Sequence, residues 1–115
     1  MEFNNTTPVF LQIVEKIKID IFSGKLPLGS KLPSVREYAL FFEVNPNTMQ
    51  RALSQLEDEH LIVTVRTTGK FVTSDFDTVN RIREEYVRNI AADFFEKIGK
   101  IVLGRKEIIE IIKEE

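Results

Sequence analysis

The chain has no cysteine and one histidine, His60, among its 115 residues. Without thiols it has no disulfide framework and no thiolate metal site, and a reducing cytosol is its natural compartment. No nucleophile stands beside a base, and neither paired carboxylates nor metal-ligand spacings occur outside surface helices, so no catalysis and no cofactor are expected. No stretch approaches the roughly 20 apolar residues of a membrane span, and residues 1–7 lack the basic start and apolar run of an export signal. A soluble, cytoplasmic protein with no membrane partner is expected. Net charge is also scarce. Sixteen basic and eighteen acidic residues give −2, and residues 1–73 carry eight of each. A broad basic field is excluded, and any polyanion must be held by a few well-placed cations and by helix N-termini.

A hydrophobic fraction of 43% suffices for one packed core, and the length suits one small domain with an appendage. Phe10, Ile13, Val14, Ile17 and Ile21 follow the spacing of one helix face, which predicts a first helix over residues 8–23 stopped at Gly24. The loop 24–33 is punctuated by Pro27, Gly29 and Pro33, with Leu26, Leu28 and Leu32 expected to pin it to the core. Ser34 and Glu37 have capping-box spacing and open a short second helix with Val35, Tyr38, Ala39 and Phe42 inward. Arg36 falls in its first turn. A cation there opposes the helix dipole by about 0.3–1 kcal/mol, which invites an external phosphate as its reason, the alternative being a solvated arginine near Glu37.

Three residues later Asn45 caps a third helix, with Pro46 at its first position and Met49, Ala52, Leu53 and Leu56 on its apolar face. Two short helices joined so tightly form a helix-turn-helix unit. The tip of the third helix carries Asn47, Thr48, Gln50 and Arg51, side chains of the kind that read base edges and hold phosphates. Its acids, Glu57, Asp58 and Glu59, gather at the far end, as suits a helix that enters a groove tip first. Taken alone, the stretch reads more readily as an ordinary capped surface helix, since caps are far commoner than recognition helices. His60 is expected as a left-handed helix stop rather than a metal ligand. Residues 61–66 and 70–73 then predict a hairpin around Thr67-Thr68-Gly69, flanked by Arg66 and Lys70, with Gly69 supplying the turn. Thr68-Gly69-Lys70 is no phosphate-cradling P-loop, because Phe71 stands where a magnesium-binding hydroxyl is needed.

Gly24-Lys25-Leu26, Gly29-Ser30-Lys31-Leu32-Pro33-Ser34-Val35-Arg36, Val44-Asn45-Pro46-Asn47-Thr48-Met49-Gln50-Arg51-Ala52 and Gly69-Lys70-Phe71-Val72 resemble the DNA-binding domain of the GntR family of bacterial transcription regulators. The likeness covers about residues 8–73. Asn-Pro-Asn-Thr and the short helical tail are similar to the YtrA-type subfamily. The resemblance implies that Arg36, Asn47, Thr48, Gln50, Arg51 and Gly69 touch DNA. Together with Ser34, Arg66, Thr68 and Lys70 they form the candidate interface. Thr67 and His60 depart from the family pattern, which often has glycine at both places, so the depth of wing insertion stays open.

In residues 75–115, Val79, Ile82, Tyr86, Ile90, Phe94 and Ile98 recur at three- and four-residue steps, and Phe95 widens the stripe. Gly99 and Gly104 interrupt it before Ile108 and Ile112 of a last amphipathic segment. Two such helices cannot bury this surface on each other, which favours a homodimer over packing back on the winged domain. The expected fold is therefore mainly α with a small β-hairpin: a winged helix-turn-helix over residues 1–74 and a two-helix dimerisation tail over 75–115. A two-fold dimer would bind an inverted-repeat operator in double-stranded DNA. A winged-helix protein-interaction module is the competing reading, given the neutral front part. No separate sensor domain is expected, and Tyr86, Phe94 and Phe95 either pack or line an effector pocket.

Overall fold

The computed structural model describes residues 1–101 and 104–114. Its helices are α1 (Val9–Phe22), α2 (Val35–Phe42), α3 (Pro46–Asp58), α4 (Phe76–Gly99) and α5 (Arg105–Lys113), with strands β1 (Ile62–Val65) and β2 (Gly69–Val72) between α3 and α4. The chain divides into two compact units, residues 1–80 and 81–115, so the first unit runs six residues beyond the winged segment and takes in the start of α4.

In the first unit the apolar stripes converge as their spacing requires. Ile13 and Ile17 of α1, Phe42 of α2, and Met49, Leu53 and Leu56 of α3 are fully buried, with Leu61, Ile62 and Val72 closing the core from the hairpin. Each such side chain contributes roughly 1.5–3 kcal/mol by leaving water. Lys18 Nζ lies 2.6 Å from Glu59 Oε1 and ties α1 to the end of α3. Of the three loop leucines only Leu32 is buried; Leu28 is exposed and Leu26 half-exposed. Leu32 lies in a third strand-like run, which Leu26 and Leu28 precede. Leu32 N–H donates to Lys70 O at 2.9 Å, Val72 N–H to Ser30 O at 2.9 Å, and Lys31 pairs with Phe71 across the edge of β2. The alternation of that run sends one side chain inward.

Turns are closed by residues in left-handed conformation. Glu43 (φ 57°) ends α2, and the following Val44 N–H reaches back to Ala39 O at 3.0 Å. His60 (φ 65°) ends α3 in the same way, with Leu61 N–H on Leu56 O at 3.0 Å, as its sequence position predicts. In the hairpin two residues have positive φ: Thr67 (φ 66°) in the turn, and Gly69 (φ 133°), which pairs with Val65 as the first residue of β2. The turn was expected to rest on Gly69. It uses Gly69 and, before it, a β-branched residue at positive φ.

Asp75 starts α4, accepting from Thr78 N–H at 3.2 Å and from the Thr78 hydroxyl at 2.8 Å. Within the second unit Arg105 stacks on Phe95, its Cζ 4.8 Å from the ring centroid, and Phe95 meets Phe94 edge to face. Two residues assigned to dimerisation are consumed inside the single chain: Val79 is 5% exposed in the first unit and Ile108 4% exposed in the second. Intrachain packing reaches both before any partner can. Ile82, Tyr86, Phe95 and Ile98 are half-buried, whereas Ile90, Phe94 and Ile112 remain exposed, as do Val87, Ile109 and Ile111.

Candidate nucleic-acid interface

The tip of α3 is built from its own cap. Asn45 Oδ1 accepts from Asn47 N–H at 2.8 Å, and Pro46 occupies the first helical position, where a missing N–H costs nothing. Met49, Ala52, Leu53 and Leu56 are buried, so the opposite face presents Asn47, Gln50 and Arg51 to solvent, with Thr48 half-buried at its border. Gln50 Nε2 donates to Ser54 Oγ at 3.1 Å, which ties the amide along the helix. The Arg51 guanidinium lies over the ring of Phe10 in α1, 3.8 Å from Cζ to the ring centroid.

At the start of α2 the capping box forms in full. Ser34 Oγ accepts from Glu37 N–H at 3.1 Å, and Glu37 Oε1 accepts from Ser34 N–H at 3.3 Å. Glu37 is thus engaged with the backbone, and Arg36 beside it is exposed with no ion pair among the described residues. Arg36 is thus a solvated arginine beside Glu37, with its charge open to an external phosphate.

The wing differs from expectation in its charges. Lys70 Nζ donates to Thr64 Oγ1 at 2.9 Å and sits 3.4 Å from Glu57 Oε2, with only 16% of its side chain exposed. The hydrogen bond from Thr64 and the Lys70 charge lower the pKa of the Glu57 carboxyl from its ordinary value. Lys70 therefore clasps β2 to the far end of α3. Arg66 and Thr68 are exposed at the tip.

A cation that the sequence reading passed over lies beside them. Lys31 crosses close to Gly69, where an added Cβ would stand 3.2 Å from Lys31 Cε. Lys31, Ser34, Thr64, Thr68 and Lys70 line a cavity of about 500 Å³ between the loop before α2 and the wing. The only hint in the sequence was a lysine alternating with Leu32; its pairing with Phe71, forty residues on, is a tertiary fact.

The family model for bacterial regulatory proteins of the gntR family matches residues 10–72. The chain is 33% identical over 112 residues to the uncharacterized HTH-type transcriptional regulator YhcF of Bacillus subtilis, covering 97% of this chain and 93% of that one. It is 38% identical over 74 residues to the HTH-type transcriptional repressor YtrA of the same organism, covering 64% of this chain and 57% of the repressor. Among solved structures, a GntR family transcriptional regulator from Listeria monocytogenes superposes with a TM-score of 0.94 at 35% identity, covering 98% of this chain and 99% of that one. With the winged helix-turn-helix complete, the polar face of α3 exposed, and both YhcF and the Listeria regulator aligned along nearly the whole length, the chain belongs to the GntR family of bacterial transcription regulators.

Proposed function

We propose that the protein is a cytoplasmic transcriptional repressor that binds an inverted-repeat operator as a homodimer, with no catalytic step. The observation that carries the DNA reading is the division of α3: four apolar side chains buried on one side, and Asn47, Gln50 and Arg51 exposed on the other beside a capped tip. In this reading Asn47 or Gln50 pairs with adenine, and Arg51 with guanine or a phosphate. Arg36 and Thr48 hold the backbone and register the helix. Ser34 is chiefly a cap and contributes by fixing the first turn of α2 around Arg36. The wing lays Arg66, Thr68 and Gly69 along the backbone, with Lys31 as its second cation in place of the internally paired Lys70.

The dimer reading rests on the apolar side chains that the second unit leaves in solvent: Val87, Ile90 and Phe94 on α4 at 57%, 54% and 40%, with Ile109, Ile111 and Ile112 on α5. A second copy would cover them and set two reading helices about 34 Å apart on one face of the duplex. Joining two sparsely charged readers in one body also supplies avidity that neither has alone.

Selection of binding fragments from genomic DNA followed by footprinting tests the whole reading. An inverted repeat with half-sites one helical turn apart is expected, and Arg51→Ala should weaken its binding by about 1–3 kcal/mol. Failure to enrich any duplex would leave the competing interaction-module reading, which draws on the exposed Leu40 and Phe41 at the end of α2.

A further inference from the structure

We infer that Phe10, in the first turn of α1, is the positioning residue for Arg51, so that the reading surface begins on α1 and not on the helix-turn-helix alone. This rests on the DNA reading of α3 given above. Phe10 belongs by spacing to the stripe of Ile13, Val14 and Ile17, yet those three are buried and Phe10 is only half-buried. The face left open is covered by the Arg51 guanidinium at 3.8 Å. Among the described residues Arg51 pairs with no carboxylate and donates no hydrogen bond, although α3 carries two acids further along, Glu57 and Asp58.

That combination has a specific consequence. A guanidinium stacked on a ring is held by its flat face, while its N–H donors point outward in the plane and stay unspent. An ion pair would have fixed the side chain equally well and used those donors. Arginine also loses much rotamer freedom when it binds, and the ring removes part of that loss before DNA arrives. A lysine at this position would gain little from the ring's shape, having neither a plane to stack nor a fork to aim. Phe10 is thus expected to act on affinity and base choice through Arg51, without touching DNA.

The test uses the full-length protein and a fluorescein-labelled duplex carrying the operator that the protein itself selects from genomic fragments. Phe10→Leu should weaken binding by roughly 3- to 10-fold, the range that a cation–π contact supports. Phe10→Tyr, which keeps the ring, should stay within about twofold of the parent. In an Arg51→Ala background Phe10→Leu should cause no further loss, because the group it positions is gone. The loss should also vanish on a duplex altered at the base pair that Arg51→Ala identifies. If Phe10→Leu weakens binding equally with and without Arg51, or if Phe10→Tyr fails as badly as Phe10→Leu, the ring acts only through α1–α3 packing and the inference is overturned. A neutral Phe10→Leu beside a damaging Arg51→Ala overturns the positioning role and leaves the DNA reading intact. A neutral Arg51→Ala removes Arg51 from the reading, and the inference with it.

Discussion

Three non-glycine residues, Glu43, His60 and Thr67, hold left-handed backbone where the chain reverses. Glutamate and histidine bear this at modest cost, but a β-branched threonine is a true outlier, with strain on the order of 1 kcal/mol or more. Thr67→Gly should raise the unfolding free energy by about 1 kcal/mol, read from urea denaturation midpoints. An unchanged or lower midpoint would show that the turn is not strained in this way. Tyr38 carries the clearest pH signature. Burial first, and the nearby Asp20 charge second, push its phenol up to about 12 from 10. Below the unfolded value both states keep the proton. Above it the unfolded chain ionises first, so the stability that Tyr38 contributes is lost as pH rises from 10 towards about 12. Tyr38→Phe should flatten the alkaline limb of a stability-against-pH curve while leaving neutral stability much closer to the parent's.

At the scale of elements, the wing is a three-ply edge rather than a free hairpin, because the run through Lys31 joins β2. This redistributes its charges. Lys70 is answered by Glu57 and Thr64, and Lys31 takes the outer position beside Gly69. The sequence alone pointed to Lys70 as the phosphate cation. On this geometry Lys31→Ala should reduce the slope of log affinity against log salt by about 1, whereas Lys70→Ala should chiefly lower stability by breaking the clasp on α3. Salt titrations by fluorescence anisotropy distinguish the two. A slope that falls for Lys70→Ala and not for Lys31→Ala would restore the original assignment. α2 and α3 follow their sequence signals closely, since a Ser-x-x-Glu box and an Asn-Pro start are satisfied within one helical turn.

For the whole molecule the open question is assembly. The first unit extends to Asn80 and includes buried Val79, so a cut after residue 75 would damage the core it is meant to isolate. Substitution on the exposed face of the second unit is the cleaner probe. Ile90→Glu combined with Phe94→Glu should convert a dimer to monomers by sedimentation and lower operator affinity by at least tenfold through lost avidity. Persistence of the dimer would move the interface elsewhere. Among the described residues no helix is long and apolar enough to cross a membrane.

What the sequence determined by itself is local. Helix spans, caps, the His60 stop and the polar tip of α3 depend on residues within four positions of one another, and periodicity with capping chemistry reports such neighbours directly. Tertiary structure alone decided which candidate cations have their charge met inside the molecule. It put Arg51 on Phe10, Lys70 against Glu57 and Lys31 beside Gly69, contacts spanning 41, 13 and 38 positions. It also took Val79 and Ile108 out of the surface available to a partner. The physical reason is common to all of these. A spacing pattern states which face of an element is apolar, but not which group from a distant element arrives to cover that face or neutralise its charge.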